Sequence, residues 1–160
     1  MRFLVVVTSC ALAVGCNKSS KVSQDEFVAA TDEAARLEQQ FVTDYPRAEA
    51  ELLKLRDADP AAAARLIDTK ILPLFPPVTT AIAKAYQLGL EFVDGELRDD
   101  TMRAHAHHLL AKLDLNRRGF ERVRDAYAEQ SKKLAKGPLS DTDTDALIEA
   151  LEQGSKMMTQ

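Results

Sequence analysis

Three histidines lie within four consecutive residues, at His105, His107 and His108. Imidazole nitrogens bind transition metals and titrate near neutral pH. On a helix only His105 and His108 share an edge, because residues three apart are neighbours on its surface. No His-Glu-x-x-His or Glu-x-x-His pattern accompanies them. The spacing therefore favours exposed histidines, with a weak metal or pH-responsive site at His105 and His108 as the alternative.

A second candidate site is the run of basic residues between positions 117 and 136. Seven of its residues are Lys or Arg and three are acidic, a net charge of +4, whereas residues 23–59 have a net charge of −6. One interpretation is charge complementarity between neighbouring helices. The other is an interaction patch for anionic lipid headgroups, cell-wall polymer or an acidic partner. The patch would consist of Arg117, Arg118, Arg122 and Arg124.

Motifs for catalysis are missing from the sequence. It contains neither a G-x-S-x-G motif nor a glycine-rich phosphate loop, and no pair of acidic residues stands out. The net charge of −4 argues against nucleic-acid binding. We predict a non-enzymatic protein without a cofactor that binds another macromolecule or surface. The alternatives are a helical module for a small ligand or a metal, and an enzyme of unrecognised type.

The N-terminus has the pattern of a secretory signal. Met1 and Arg2 precede a mostly apolar run from Phe3 to Val14, which is too short to span a membrane. The sequence Leu12-Ala13-Val14-Gly15-Cys16, at the end of this run, resembles the lipobox of bacterial lipoproteins, although that family prefers Leu at the position of Ala13. The resemblance implies cleavage before Cys16, a diacylglycerol on its thiol and an acyl chain, often palmitate, on its new amine.

A second lipobox-like sequence, Val7-Thr8-Ser9-Cys10, matches the motif more closely. Cleavage before Cys10 would leave an apolar run of only Phe3 to Val7, shorter than signal peptides use. We therefore favour Cys16 as the lipidated residue. An ordinary secretory peptide and an uncleaved anchor are the other interpretations.

These features divide the chain into residues 1–15 as signal peptide, residues 16–23 as lipidated cysteine and tether, and residues 24–160 as one helical domain. Residues 17–23 are small and polar, which is typical of a tether. In lipoproteins of enteric-type bacteria an Asp at this point favours the inner membrane, so Asn17 implies the outer membrane, facing the periplasm, if the source is Gram-negative. No cysteine follows Cys16, so the mature domain has no disulfide or thiolate metal site.

The element that must position the candidate sites is a long helix with a heptad seam, as in a coiled coil. Apolar residues recur at alternating steps of four and three from position 102 to 134. One row of the seam is Ala106, Leu113, Phe120, Tyr127 and Leu134, and the other is Met102, Leu109, Asn116, Val123 and Gln130. The polar Asn116 and Gln130 would fix the helix register or meet water, or bind a polar ligand.

The remaining segments predict helices that supply partners for this seam. The first starts near Ser23 or Asp25 and has a kink or short break before Pro46. Its apolar stripe is Phe27, Ala30, Ala34, Leu37, Phe41, Tyr45, Ala48, Leu52 and Leu55. Further helices are expected over 60–71 and 77–92, before Asp94-Gly95. The long helix should begin with Asp99, Asp100 or Thr101 as its cap and end at Gly137-Pro138, and a short last helix should stop at Gly154.

The helix lengths predict an all-α fold. The first helix, the two middle helices together and the long helix each span about 50–57 Å at 1.5 Å per residue. Three matched rods fit an elongated antiparallel three-helix bundle with a proline-broken middle helix and a short C-terminal helix. The alternative is a four-helix bundle, in which residues 73–77 form a complete hairpin.

The choice between the two cysteines can be tested by labelling cells with a palmitate analogue. We expect Cys16→Ser to abolish labelling and to leave an unprocessed or mislocalised precursor, whereas Cys10→Ser keeps both processing and label. Each buried CH₂ contributes about 0.8 kcal/mol, so two or three acyl chains hold a small domain firmly at a membrane. Label retained in Cys16→Ser but lost in Cys10→Ser would show that Cys10 is the lipidated residue.

Overall fold

The chain is all-α over residues 22–158, the part that the computed structural model describes. The helices are α1 (Gln24–Leu55), α2 (Pro60–Leu66), α3 (Phe75–Glu96), α4 (Asp100–Leu134) and α5 (Asp141–Met158). None of the helices in this range is both long and apolar enough to cross a bilayer.

Side-chain caps fix where the helices begin. Ser23 and Glu26 form a reciprocal capping box at the start of α1. The Asp59 side chain accepts a hydrogen bond from the N–H of Ala62, and Pro60 follows as the first residue of α2. Asp99 caps α4 in the same way. Each of these starts agrees with the sequence prediction.

The middle of the bundle is one helical rod rather than a hairpin. Between α2 and α3 the backbone forms a π-helical turn (Ile67–Ile71) and a 3₁₀ turn (Leu72–Leu74), and it stays in the right-handed helical region. Both α2 and α3 pack against α1 and against α4. The prolines thus change the type of helix without reversing the chain, and α3 begins at Phe75, two residues before the predicted Pro77.

The three rods alternate in direction, so α1 and α4 run parallel to each other. Glu38, Phe41 and Tyr45 of α1 contact Asn116, Phe120 and Tyr127 of α4 in the same order along the chain. Helix α5 then returns antiparallel along α4, because Lys133 contacts Asp143 while Gly119 lies against Gly154. The structure therefore confirms the predicted all-α bundle.

Aromatic rings form the centre of the core. Phe41 lies about equally far from Tyr45, Phe75 and Phe120, with ring centroids 5.0, 5.0 and 4.9 Å away. Tyr127 completes the group at 6.0 Å from Tyr45. Edge-to-face and stacked arrangements at these distances are favourable for aromatic pairs. The predicted stripes on α1 and on the second half of α4 both converge on this cluster.

Several predicted helix boundaries are wrong, and the short break considered before Pro46 is absent. Helix α1 continues through Pro46 without a break, because buried residues on both sides, including Phe41 and Ala48, keep packing against the core. Helix α3 continues past Asp94-Gly95 to Glu96. Helix α4 instead ends three residues before Gly137, whose φ of 148° only glycine adopts readily.

Gly154 lies inside α5 and does not stop it. A Cβ atom at Gly154 would come within 2.5 Å of Val123 Cγ2 and 3.0 Å of the Gly119 carbonyl oxygen. Gly119 has a similar environment, since its Cβ would be 2.8 Å from the Gly154 carbonyl oxygen. The two glycines therefore allow the α4 and α5 backbones to touch, which explains a glycine in the middle of each helix.

The seam prediction fails at the N-terminal end of α4. Met102 is 45% exposed and Leu109 only half-buried, whereas the neighbouring Leu110 is buried against Val93 and Leu97. From Asn116 to Leu134 both predicted rows are buried. Helix α4 therefore turns a slightly different face inward at its start, where α3 is its main partner.

The core assignment can be tested by urea unfolding. Phe120 is 3% exposed, so Phe120→Ala should cost about 3–5 kcal/mol of unfolding free energy. Leu113 is only half-buried, and Leu113→Ala should cost less than Phe120→Ala. Arg118→Ala should stay within about 1 kcal/mol, as for exposed ion pairs. Equal losses at Phe120 and Arg118 would contradict the placement of α4.

The glycine contact gives a second stability test. Gly154→Ala should destabilise the protein by about 1–3 kcal/mol, because the added methyl group overpacks the α4–α5 contact. Gly95→Ala is the matched control, since Gly95 is exposed within α3 and the same change there should be neutral or stabilise by up to ~1 kcal/mol. If Gly154→Ala is as harmless as the control, the two helices do not touch at these glycines.

Candidate functional site

The predicted lipidation residue, Cys16, lies outside the described residues. Its competitor Cys10 and most of the predicted tether lie outside them as well. The described chain begins at Val22, which is buried, directly before the capping box of α1. Cys16 therefore stays a prediction from the sequence.

The three histidines are exposed or half-buried along the first half of α4. His105 and His108 are both exposed, as predicted. His107 is half-buried, and its Nε2 lies 3.0 Å from Asp94 Oδ1 of α3, a contact that the sequence did not predict. Among residues 22–158 no group of three or more His, Cys, Asp or Glu side chains is placed to hold a metal ion.

Two arginines of the predicted patch share one carboxylate. Arg117 donates to Asp114 Oδ1 at 2.7 Å and to Glu121 Oε1 at 2.6 Å, while Arg118 reaches Asp114 Oδ2 at 2.7 Å. The hydrogen bond to Asp114 is the main cause that raises the pKa of Arg117. Arg118 nevertheless remains 62% exposed on the outer edge of α4.

The other two arginines have different partners. Arg124 pairs with its neighbour Asp125 at 2.7 Å. Arg122 donates to the side-chain oxygen of Gln153 on α5, which is an uncharged group. Over residues 114–125 the four arginines face three carboxylates, so the cluster has a net charge of +1. The patch is thus neutralised mainly along α4 itself, and within the described helices none of its ion pairs reaches the acidic α1.

One lysine of the basic half ties α4 to α5. Lys133 Nζ lies 2.7 Å from Asp143 Oδ1, and Asp143 also accepts a hydrogen bond from the Ser140 hydroxyl. Lys133 and then Ser140 lower the pKa of Asp143 to about 2. Beside this pair a cavity of about 150 Å³ lies between α4 and α5, with mostly apolar walls. The contact fixes the first turn of α5 on the end of α4.

Polar side chains also lie on the inward face of α4. Asn116 Nδ2 donates to Oε1 of Glu38 at 2.8 Å, and both residues are buried. Burial raises the pKa of the Glu38 carboxyl, more than the hydrogen bond from Asn116 lowers it. The side-chain oxygens of Asn116 and Gln130 are buried without a hydrogen-bond partner in the described range.

Two tyrosines meet further along the same face. The hydroxyl oxygens of Tyr45 and Tyr127 are 2.6 Å apart, and both lie within hydrogen-bond distance of Glu49 Oε1, at 2.9 and 3.1 Å. Burial is the main cause that raises the pKa of both hydroxyls. They therefore stay protonated at physiological pH and act as hydrogen-bond donors.

A serine connects α4 to the π-helical turn. The Ser131 hydroxyl lies 2.7 Å from Asp68 Oδ1 and 3.3 Å from the carbonyl oxygen of Ala64. The π-helical turn thus places Asp68 over α4. Together with the glutamate and tyrosine contacts, this bond forms an inner polar row that links α4 to α1 and to the middle rod.

Two residues with important partners were missed from the sequence. Asp114 lies three residues before Arg117 and four before Arg118, which is ion-pair spacing on a helix, but the charge count began at position 117. Glu38 lies four residues after Ala34 and three before Phe41, and is therefore on the buried stripe of α1. Both could have been found from helical spacing alone.

Comparisons with known proteins add no functional information. No protein-family model matches the chain, and neither a curated protein nor a solved structure is significantly similar to it. The proposals below therefore rest on the residues and their geometry.

Proposed function

We propose that this chain is a lipid-anchored helical protein of the bacterial envelope that binds an anionic surface and catalyses no reaction. The anchor would be Cys16, which resembles a lipobox cysteine, and the favoured location is the outer membrane facing the periplasm. The binding residues would be Arg118 and Arg122, with Arg117 and Arg124 beside them. The surface would be anionic lipid or an anionic envelope polymer.

The proposal is supported by the hydrogen-bond partner of Arg122 and the exposure of Arg118. Arg122 is the one arginine of the patch whose side chain is hydrogen-bonded to a neutral group, Gln153, in the described structure. Arg118 lies one helical turn away on the same outer edge and is mostly exposed. A phosphate or carboxylate could replace Gln153 at Arg122 and approach Arg118 without opening the core.

The inner polar row is better suited to a structural role than to catalysis. Its tyrosine hydroxyls lie beside aromatic rings and are already bonded to one another and to Glu49. Glu38 is buried as well, with Asn116 as its partner. Since a reactive group must be reached by its substrate, these residues are better suited to holding helices together.

The binding proposal can be tested by co-sedimentation with anionic vesicles and with isolated cell wall. The protein should be produced from residue 17 onward, so that no acyl chain contributes to binding. We expect wild-type protein to sediment with at least one of these surfaces at low salt and less at physiological salt, because salt screens exposed charges. Arg118→Glu/Arg122→Glu should abolish the binding.

Two further variants make the test specific. Arg47→Glu/Arg65→Glu changes the net charge equally but alters exposed arginines on α1 and α2, so it should bind like wild type. Asp114→Asn removes the carboxylate that Arg117 and Arg118 share, and should strengthen binding. Two outcomes would contradict the proposed binding role of the patch. Either wild-type protein binds neither surface at low salt, or the double mutant at Arg118 and Arg122 binds as well as wild type.

A further inference from the structure

Glu38 is a carboxyl group in the core with one protein partner. It is 7% exposed and lies on α1 between Ala34 and Phe41, which are both buried. Its partner Asn116 is 5% exposed and donates from Nδ2 to Glu38 Oε1 at 2.8 Å. The Asn116 side-chain oxygen is buried and has no hydrogen-bond partner among the described residues.

The protonation state of Glu38 decides how well this contact is satisfied. An ionised carboxylate can only accept hydrogen bonds, so Asn116 Oδ1 would stay unpaired beside a buried negative charge. A neutral carboxyl group has an O–H donor as well. It can accept from Asn116 Nδ2 through Oε1 and donate from Oε2 to Asn116 Oδ1, as in an acid–amide pair. Protonation thus removes the buried charge and supplies the missing donor.

Among the described residues, no charged group offsets the negative charge of an ionised Glu38. On α4 the nearby Arg117 is occupied by Asp114 and Glu121, and on α1 Tyr45 is bonded to Tyr127 and Glu49.

In the described structure, none of the charged side chains on α3 and α5 is buried. On α3, Lys84 acts on the exposed Glu26 and Glu33 at the rim of a groove. On α5, Glu152 and Lys156 are exposed. Burial and the hydrogen bond from Asn116 are the causes that act on the pKa of Glu38 in the described structure.

We propose that Glu38 is a proton-binding site of the folded bundle, which holds its proton where exposed glutamates have lost theirs and uses it to donate to Asn116 Oδ1. The site makes the contact between α1 and α4 sensitive to pH, and the contact tightens as the pH falls. This inference does not depend on the proposed anchor or on the arginine patch.

The sign of the effect follows from proton linkage. Burial raises the pKa of Glu38 above its ordinary value of 4.5 in the folded protein. Between that value and the raised pKa the folded state binds more protons at this site than the unfolded state does. The contribution of Glu38 to stability is therefore fully present below pH 4.5 and is lost as the pH rises through the raised pKa.

The direct test is an NMR titration of the full chain with ¹³C-labelled glutamate carboxyl groups, in which Glu38 is assigned through its backbone resonances. We expect Glu38 to titrate at a higher pH than the exposed glutamates of the same protein. A midpoint equal to theirs, or lower, would overturn the proposal. Because it uses wild-type protein, this measurement decides the question even if a variant does not fold.

A pH series of urea unfolding curves provides the second test. Glu38→Gln keeps the shape of the side chain, and its amide N–H can donate to Asn116 Oδ1 at every pH. We expect this variant to lack the loss of stability that wild type shows as the pH rises from 4.5. Glu33→Gln, an exposed change on the same helix, should keep it. The same pH dependence in Glu38→Gln and wild type would overturn the proposal.

Discussion

Contact between the parallel helices α1 and α4 sets the spacing of the bundle. The two helices do not approach closely along their backbones but meet through long side chains: Phe41 with Phe120, Tyr45 with Tyr127, and Glu38 with Asn116. The middle rod fits beside both, and Phe75 from its proline-rich turn reaches the aromatic cluster. Helices α4 and α5 pack in the opposite way, because two glycines bring their backbones together. Large residues thus fill the wide gap and glycines permit the narrow one.

The different lengths of α4 and α5 explain where polar residues occur along α4. Helix α5 has 18 residues against 35 in α4, so it covers only the second half. On the uncovered half the same side of α4 carries the exposed His105 and His108. Under α5 it carries Gly119 and the buried Val123. The histidines therefore lie on the part of α4 that α5 does not cover, which accounts for their exposure.

Local signals in the sequence were sufficient for most of the fold. The caps Ser23, Asp59 and Asp99 and the heptad rows after position 113 predicted the helix starts and the buried faces, because both depend on residues within one or two turns. The errors arose where tertiary packing overrides a local preference. Pro46 and Gly154 disfavour a helix in isolation, but buried contacts on both sides hold the helix there. The π-helical and 3₁₀ turns at residues 67–74 depend on backbone geometry that composition does not specify.

The candidate site could likewise be predicted only in part from the sequence. The arginine positions and the exposure of His105 and His108 followed from helical spacing, and Asp114 would have followed from a count that began one turn earlier. The partners that join different helices, such as Gln153 for Arg122 and Asp94 for His107, could not be derived, because they depend on how the helices are placed.

The charged residues discussed above lie in two separate places, the arginine cluster of α4 and the core between α1 and α4. Ion pairs of the arginine cluster lie within α4, and the exposed Arg118 can exchange partners without loss of core contacts. Glu38 is part of the core, and any change in its charge acts on the contact between α1 and α4. A basic residue near an anionic membrane contributes about 1 kcal/mol, so the patch alone gives modest binding, which low salt strengthens. If the protein is anchored as proposed, this binding need not be strong, because a short tether supplies a high effective concentration of the arginines at the membrane. The arginines would then orient the rod against the surface, while the acyl chains provide the affinity.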